Sequence, residues 1–258
     1  MRKGDTGAEV RELQKRLSIE ADGWYGEATE AAVRDFQRNA GLAADGIAGT
    51  QTLAALQGGG AFSRHLTHSA IMAAAAALDV DEAAILTVTE VEACGDGFLP
   101  DGRPKILFER HVMHKRLAEA GNDADALAAQ YPNLINTKRG GYAGGAAEHA
   151  RFRNACGIDP ACAIESASWG MFQIMGYHWK ALDYASAQDF MACMQQSEGE
   201  QLDAFVRIVK ADPALHKALK SRKWAEFARL YNGPAYKENL YDAKLSAAFA
   251  RHSAGEVA

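Results

Sequence analysis

Cysteine and proline are scarce in this chain, no long apolar run interrupts it, and neither sign of charge dominates. Four cysteines among 258 residues, Cys94, Cys156, Cys162 and Cys193, are too few for a disulfide framework, and their spacing is not that of a zinc ribbon. Free buried thiols are expected, with a Cys156–Cys162 bridge as the alternative. The longest weakly polar stretch, Ile71 to Leu78, is mostly alanine and far short of the ~20 residues of a membrane-spanning helix, so no membrane insertion is expected. The opening residues Met1-Arg2-Lys3-Gly4-Asp5 go straight into charge, without the apolar core of a secretory signal; synthesis as a soluble cytoplasmic protein is the expectation. Lys plus Arg number 28 against 33 Asp plus Glu, a net charge of -5, which is too near neutrality for a nucleic-acid binder on composition. What is present is the apolar fraction of an ordinary globular protein, 48%, which excludes disorder and collagen. The length allows one large domain, or one small and one medium domain.

An internal repeat decides between these. Asp22-Gly23-Trp24-Tyr25-Gly26-Glu27-Ala28-Thr29 and Asp45-Gly46-Ile47-Ala48-Gly49-Thr50-Gln51-Thr52 match at Asp, both Gly and Thr with one offset of 23 residues. The same offset pairs Leu13 with Phe36, Gln14 with Gln37 and Val33 with Leu56. Each copy reads as a helix, an Asp-Gly turn, a second glycine and the start of the next helix. Val10, Leu13 and Leu17, then Ala32, Val33 and Phe36, then Leu53 and Leu56 keep helical spacing, which predicts a compact three-helix unit. Gln57-Gly58-Gly59-Gly60-Ala61 follows, and three consecutive glycines behave as linker. The expected organisation is a module over residues 1–57, a linker over 58–64 and a larger domain over 65–258.

The duplicated pattern of Leu-Gln-x-x-Leu, Asp-Gly-x-x-Gly-x-x-Thr and Ala-Val-x-x-Phe-Gln resembles the small helical peptidoglycan-binding module found on many cell-wall hydrolases. The resemblance implies attachment to murein through the turns that contain Asp22, Gly23, Trp24, Tyr25, Asp45 and Gly46. Trp24 and Tyr25 can stack on sugar faces, or one of them can seal the core. The alternative is that the aspartates and glycines only make turns and the module is a spacer.

From Leu66 onward the periodicity is mostly helical. One region breaks it: Cys94 to Phe108, with three glycines, two prolines and Ile106-Leu107-Phe108 behind the turn signal Pro100-Asp101-Gly102, reads as a small β-element. Helical periodicity returns through Leu117 and again from Ala146 to the C-terminus, interrupted by the glycine-rich run Arg139 to Gly145. The expected class is mainly α, a three-helix module followed by a larger α+β domain with a minor β-flap.

Glu90 and Glu92 lie about 200° apart around a helix, so they cannot both face one cleft. Glu92 sits at the end of an apolar helix beside a glycine-rich exit, where a carboxyl group can be half-buried and still reach a substrate. Raising a glutamate from about 4.3 to about 6 takes roughly 2 kcal/mol of differential solvation, and a glycosidase general acid needs such a shift. Glu90 reads as an ordinary solvent-facing glutamate.

Three further segments carry a second resemblance. Glu92-Ala93-Cys94-Gly95, Ser168-Trp169-Gly170-Met171-Phe172-Gln173-Ile174 and Tyr231-Asn232-Gly233-Pro234, in this order, resemble goose-type lysozymes and lytic transglycosylases. Gly97 to His111 and Glu165 to Gly170 look like the N-acetylmuramidase domain of modular phage endolysins. This implies a lysozyme-like fold and cleavage of the murein β-1,4 bond. Glu92 becomes the general acid, Gln173 a ligand of the sugar ring or N-acetyl group, and Tyr231 with Asn232 contacts of the reacting saccharide; Ser168 belongs to the same cleft-lining segment. Cys94 stands where the family has a small hydroxyl residue, which brings thiol-sensitive activity into play, and Gly233-Pro234 replaces Ala-Gly. Glu109, at the end of the Ile106 to Phe108 strand, is a candidate second carboxylate, with a salt bridge to Arg110 or another base as the alternative; Glu165 reads as a structural acid. The implied partner is bacterial peptidoglycan, with a holin-type pore giving a monomeric enzyme access to the wall.

Without a second carboxylate, a transglycosylase reaction through the sugar's own 6-hydroxyl is the nearest rival. A zinc amidase is disfavoured because His111 and His114, three apart, do not form His-Glu-x-x-His, so no metal or cofactor is expected. A cysteine amidase is disfavoured because Glu92 beside Cys94 raises a thiol pKa. A binding-only wall protein remains a further alternative.

Overall fold

The computed structural model describes residues 1–57, 64–93 and 95–254. Residues 58–63 of the expected linker, its three glycines among them, and Cys94 fall outside the described residues. Among those described, the chain forms α1 (Ala8–Arg16), α2 (Glu27–Asn39), α3 (Thr50–Leu56), α4 (His68–Leu78) and α5 (Glu82–Glu92), then β1 (Ile106–Phe108), α6 (Arg110–Glu119), α7 (Ala124–Gln130), α8 (Glu148–Cys156) and α9 (Pro160–Glu165). The hairpin β2 (Ala167–Trp169) and β3 (Ile174–Met175) leads to α10 (Ala187–Gln196), α11 (Glu198–Ala211), α12 (Pro213–Lys220), α13 (Trp224–Asn232) and α14 (Tyr241–Ala254). Two compact units result: Met1–Val91 with Ala214–Ala258, and Glu92–Pro213. No described helix is long and apolar enough to cross a membrane.

The repeat is built twice from the same bonds. Gln14 sits at the hub of the first copy: its Nε2 donates to Asp22 Oδ1 at 2.6 Å, the Trp24 carbonyl at 2.9 Å and Thr29 Oγ1 at 2.9 Å, and its Oε1 accepts from the Gly23 N–H at 2.8 Å. Gln37 repeats this with Asp45, Ile47, Thr52 and Gly46 at 2.7, 3.0, 3.0 and 2.9 Å. Gly23 and Gly46 have φ of 81° and 72°, the left-handed region that disfavours any residue with a Cβ. Val10, Leu13, Val33, Ala48 and the fully buried Tyr25 form the core of this small bundle, with Leu17, Leu53 and Leu56 packed against it.

Within the same unit, α2 meets α14 through a polar contact. Arg34, 5% exposed, donates to the Ala44 carbonyl at 2.6 Å, lies 3.2 Å from Glu30 and reaches His252 Nδ1 at 3.3 Å. His252 Nε2 lies 2.9 Å from Glu90 Oε2, and Arg251 engages the other oxygen, Oε1. Glu90 is therefore not the solvent-facing residue its position suggested. Burial pushes its carboxyl up, but the hydrogen bond and charge of His252 together with Arg251 outweigh this and hold it below the ordinary value.

In the second unit the sheet has the order β1-β2-β3, antiparallel throughout, with Leu107 opposite Ser168 and Trp169 opposite Ile174. Two of its three strands come from Ala167 to Met175, a stretch read from sequence as helical. The reason is local: Gly170 at φ 71° and Gln173 at φ 50° close a turn that no helix accommodates, and Trp169 and Ile174 pack inward on either side of it. The Pro100-Asp101-Gly102 signal does make a turn, bracketed by a Phe98–Pro104 bridge. Cys156, Cys162 and Cys193 are free thiols; burial, with Asp159 nearby, pushes Cys162 up to about 12.

Candidate active site

Glu92 is the last residue of α5 and only 8% exposed. The chain then enters a glycine-rich turn and is fastened at Gly97. The Gly97 N–H donates to Glu198 at 2.7 Å, and its carbonyl accepts from the Lys105 N–H at 2.9 Å. The Lys105 carbonyl in turn accepts from the Gly170 N–H at 2.8 Å, and Gln201 accepts from the Met171 N–H at 2.8 Å. A Cβ on Gly97 would lie 2.1 Å from Gln201 Oε1 and one on Gly170 2.5 Å from Gln201 Cδ. Both positions must be glycine for these backbones to close on Gln201. The helix exit that carries Glu92 is thus stitched to the hairpin that carries Gln173.

Gln173 is half-buried in the left-handed region. Its Oε1 accepts from Ser168 Oγ at 2.8 Å and its Nε2 donates to the Gly170 carbonyl at 2.8 Å, which leaves one amide hydrogen and one lone pair for a ligand. Ser168 differs from the expectation. It is 5% exposed and its one hydroxyl hydrogen goes to Gln173, so it positions that amide instead of facing a sugar.

Glu109 sits between β1 and α6, 7% exposed. Its carboxylate accepts from the Tyr142 hydroxyl at 3.0 and 2.9 Å and lies 3.1 Å from His111 Nδ1. Arg110, the partner considered from sequence, turns instead to the carbonyls of Lys138 and Arg139. Glu165 accepts from Trp179 Nε1 at 2.7 Å. Glu148, fully buried, was not singled out in the sequence. It collects the N–H groups of Phe108, Ala143 and Gly144 and an ion pair with Arg151. Burial opposes its ionisation, but these donors hold its carboxyl below the usual range. Tyr142 was missed because the glycine-rich run from Arg139 to Gly145 reads only as a break in periodicity, a lone tyrosine among glycines being the available signal; Glu148 lies in the helix after it, where its bond to Phe108, 40 residues earlier, leaves no local pattern.

Tyr231 and Asn232 lie in the other unit, at the end of α13, both half-buried, with Tyr231 stacked on Phe227 at 5.7 Å between ring centroids. In the small module Tyr25 is fully buried and its hydroxyl donates to the Gly46 carbonyl at 2.8 Å, so its ring seals the core and is closed to a sugar. Trp24 is 60% exposed. Asp22, Gly23, Asp45 and Gly46 form the two Gln-centred turns. Hydrogen bonds from the Trp24 N–H and Gln14 hold the Asp22 carboxyl below its usual value, whereas burial raises that of Asp45. His111 and His114 approach different carboxylates, Glu109 and Asp125, and no group of three or more metal-ligating side chains occurs among the described residues.

The N-acetylmuramidase family model matches residues 81–253. The chain belongs to the N-acetylmuramidase family. A peptidoglycan binding domain model matches residues 6–56 of this muramidase. The crystal structure of the Burkholderia AP3 phage endolysin is similar over 98% of both chains, at 55% identity and a TM-score of 0.95. No curated protein sequence matches. The muramidase is a modular endolysin, a peptidoglycan-directed glycoside hydrolase whose binding module precedes its lysozyme-like part.

Proposed function

We propose that the enzyme hydrolyses the β-1,4 bond between N-acetylmuramic acid and N-acetylglucosamine, with Glu92 as general acid. The placement of Glu92 carries this reading: a buried carboxyl group at the C-terminal end of α5, on a chain joined at Gly97, through Lys105, to the hairpin bearing Gln173. Burial and the negative end of a helix both favour a protonated carboxyl. An acid must hold that proton to deliver it to the glycosidic oxygen as the bond breaks. Glu109 is the second carboxylate, facing the oxocarbenium-like centre or orienting the attacking water. Gln173 offers its spare amide hydrogen and lone pair to the sugar ring or N-acetyl group.

Residues 1–57 serve as the wall anchor, with Trp24 as the sugar-stacking face, and residues 65–258 as the enzyme. The chain acts as a monomer without cofactor and reaches the wall from the host cytoplasm through a holin-type pore. The test is Glu92→Gln: murein lysis should fall by about 100-fold or more with an unchanged melting curve, and full activity would sink the assignment. Mass analysis of the digest identifies the reaction. Reducing-end muramic acid supports hydrolysis, 1,6-anhydro ends would replace it with transglycosylation, and cut peptides would refute both.

A further inference from the structure

The segment from Lys138 to Gly145 contains four glycines with positive φ, yet Glu109 and Arg110, at the junction of β1 and α6, and Glu148 of α8 grip it. The Phe108 N–H shares the Glu148 carboxylate, at 3.1 Å, with the N–H groups of Ala143 at 2.5 Å and Gly144 at 3.0 Å. Arg110 donates to the carbonyls of Lys138 at 2.9 Å and Arg139 at 3.1 Å. Between them, Glu109 receives the Tyr142 hydroxyl on both of its oxygens. A Cβ on Gly141 would come within 3.1 Å of the Arg110 guanidinium, at a φ of 76°, so the residue preceding Tyr142 must lack a side chain for the strap to lie this close. Four hydrogen bonds reach the strap's backbone apart from the phenol. Tyr142 itself is 45% exposed, yet its hydroxyl is turned onto the buried Glu109 carboxylate.

We propose that Tyr142 is a positioning residue for Glu109: the strap delivers its hydroxyl to the carboxylate and fixes the rotamer in which Glu109 meets the substrate. This rests on the reading of Glu109 as the second carboxylate. A three-centre bond to both oxygens stops rotation of the carboxylate plane. Burial, the hydrogen bond to Glu109 and the charge of Glu109 all push the Tyr142 phenol above its usual value, so it stays a donor over the range in which a glycosidase works.

The experiment compares Tyr142→Phe, Glu109→Gln and the double variant in the full chain, on soluble murein glycan fragments, with a melting curve for each. Tyr142→Phe should melt as the parent does and lower kcat about tenfold, with KM changed by less than about twofold. The double variant should be no slower than Glu109→Gln alone. A Tyr142→Phe enzyme with the parent's kcat, beside an inactive Glu109→Gln, would overturn the positioning role and leave Glu109 in place. Full activity of Glu109→Gln would remove both. A further loss on adding Tyr142→Phe to Glu109→Gln would show that Tyr142 acts independently and would also overturn the proposal.

Discussion

Glu90 and Glu92 stand two residues apart at the end of one helix and are put to different uses. The angular argument from sequence separated them, and α5 ends at Glu92 as the glycine-rich exit predicts. What Glu90 does was not legible, because its partners Arg251 and His252 lie more than 160 residues away in sequence. Glu90→Gln should leave turnover per folded molecule unchanged and cost about 1–3 kcal/mol of stability, read from a denaturant titration. Because its folded carboxyl sits below the ordinary value, the stabilisation is present above the normal glutamate range and lost as pH falls through the lower folded value. In Glu90→Gln that acid-side decline should be shallower than in the parent; an unchanged pH dependence would remove Glu90 from the network. Gly176 gives a second residue-scale prediction. A Cβ there would lie 2.0 Å from the Ile164 carbonyl oxygen, a backbone atom that cannot swing aside, so Gly176→Ala should lower the melting temperature severely.

At the scale of elements, the repeat shows what pattern alone can reach. A shared offset identified the duplicated unit, and the first glycine of each turn, Gly23 and Gly46, has positive φ. Pattern could not show that one glutamine per copy binds the whole turn, since the amide's partners become neighbours only when the helices pack. Gln14→Leu and Gln37→Leu would each strand a buried Gly N–H together with the acceptors around the amide. Either should cost about 2–3 kcal/mol and by equal amounts, while Lys15 and Arg38, exposed neighbours in sequence, should tolerate alanine. Strands β2 and β3 were hidden for a different reason. Three- and two-residue strands are too short for period-two alternation to stand out against helical surroundings, and cross-strand pairing with β1, some 60 residues earlier, is what makes them a sheet.

For the whole molecule, a net charge of -5 gives no broad attraction to an anionic envelope, so wall binding should come from the module's contacts. Raising salt from about 0.05 to 0.5 M, which shrinks the Debye length well below 10 Å, should change murein binding little. Removing residues 1–57 should weaken action on whole murein and spare catalysis on soluble fragments, but it should also destabilise the remainder. The buried Arg34 would no longer meet His252, and its loss exposes the Glu90 network. A melting temperature unaltered by the truncation would show that this contact contributes nothing.

The sequence by itself determined the duplicated module, the helical class, the helix exit at Glu92 and the order of motifs that marks a muramidase. These are written in local spacing, where residues a few positions apart share a face or a turn. Only the tertiary structure decided that Tyr25 is core and Trp24 is surface, that Ser168 serves Gln173, that Tyr142 reaches Glu109 and that Arg34 meets α14. Each of these depends on which distant segment arrives to bury a side chain or take its hydrogen bond, and no local pattern encodes that.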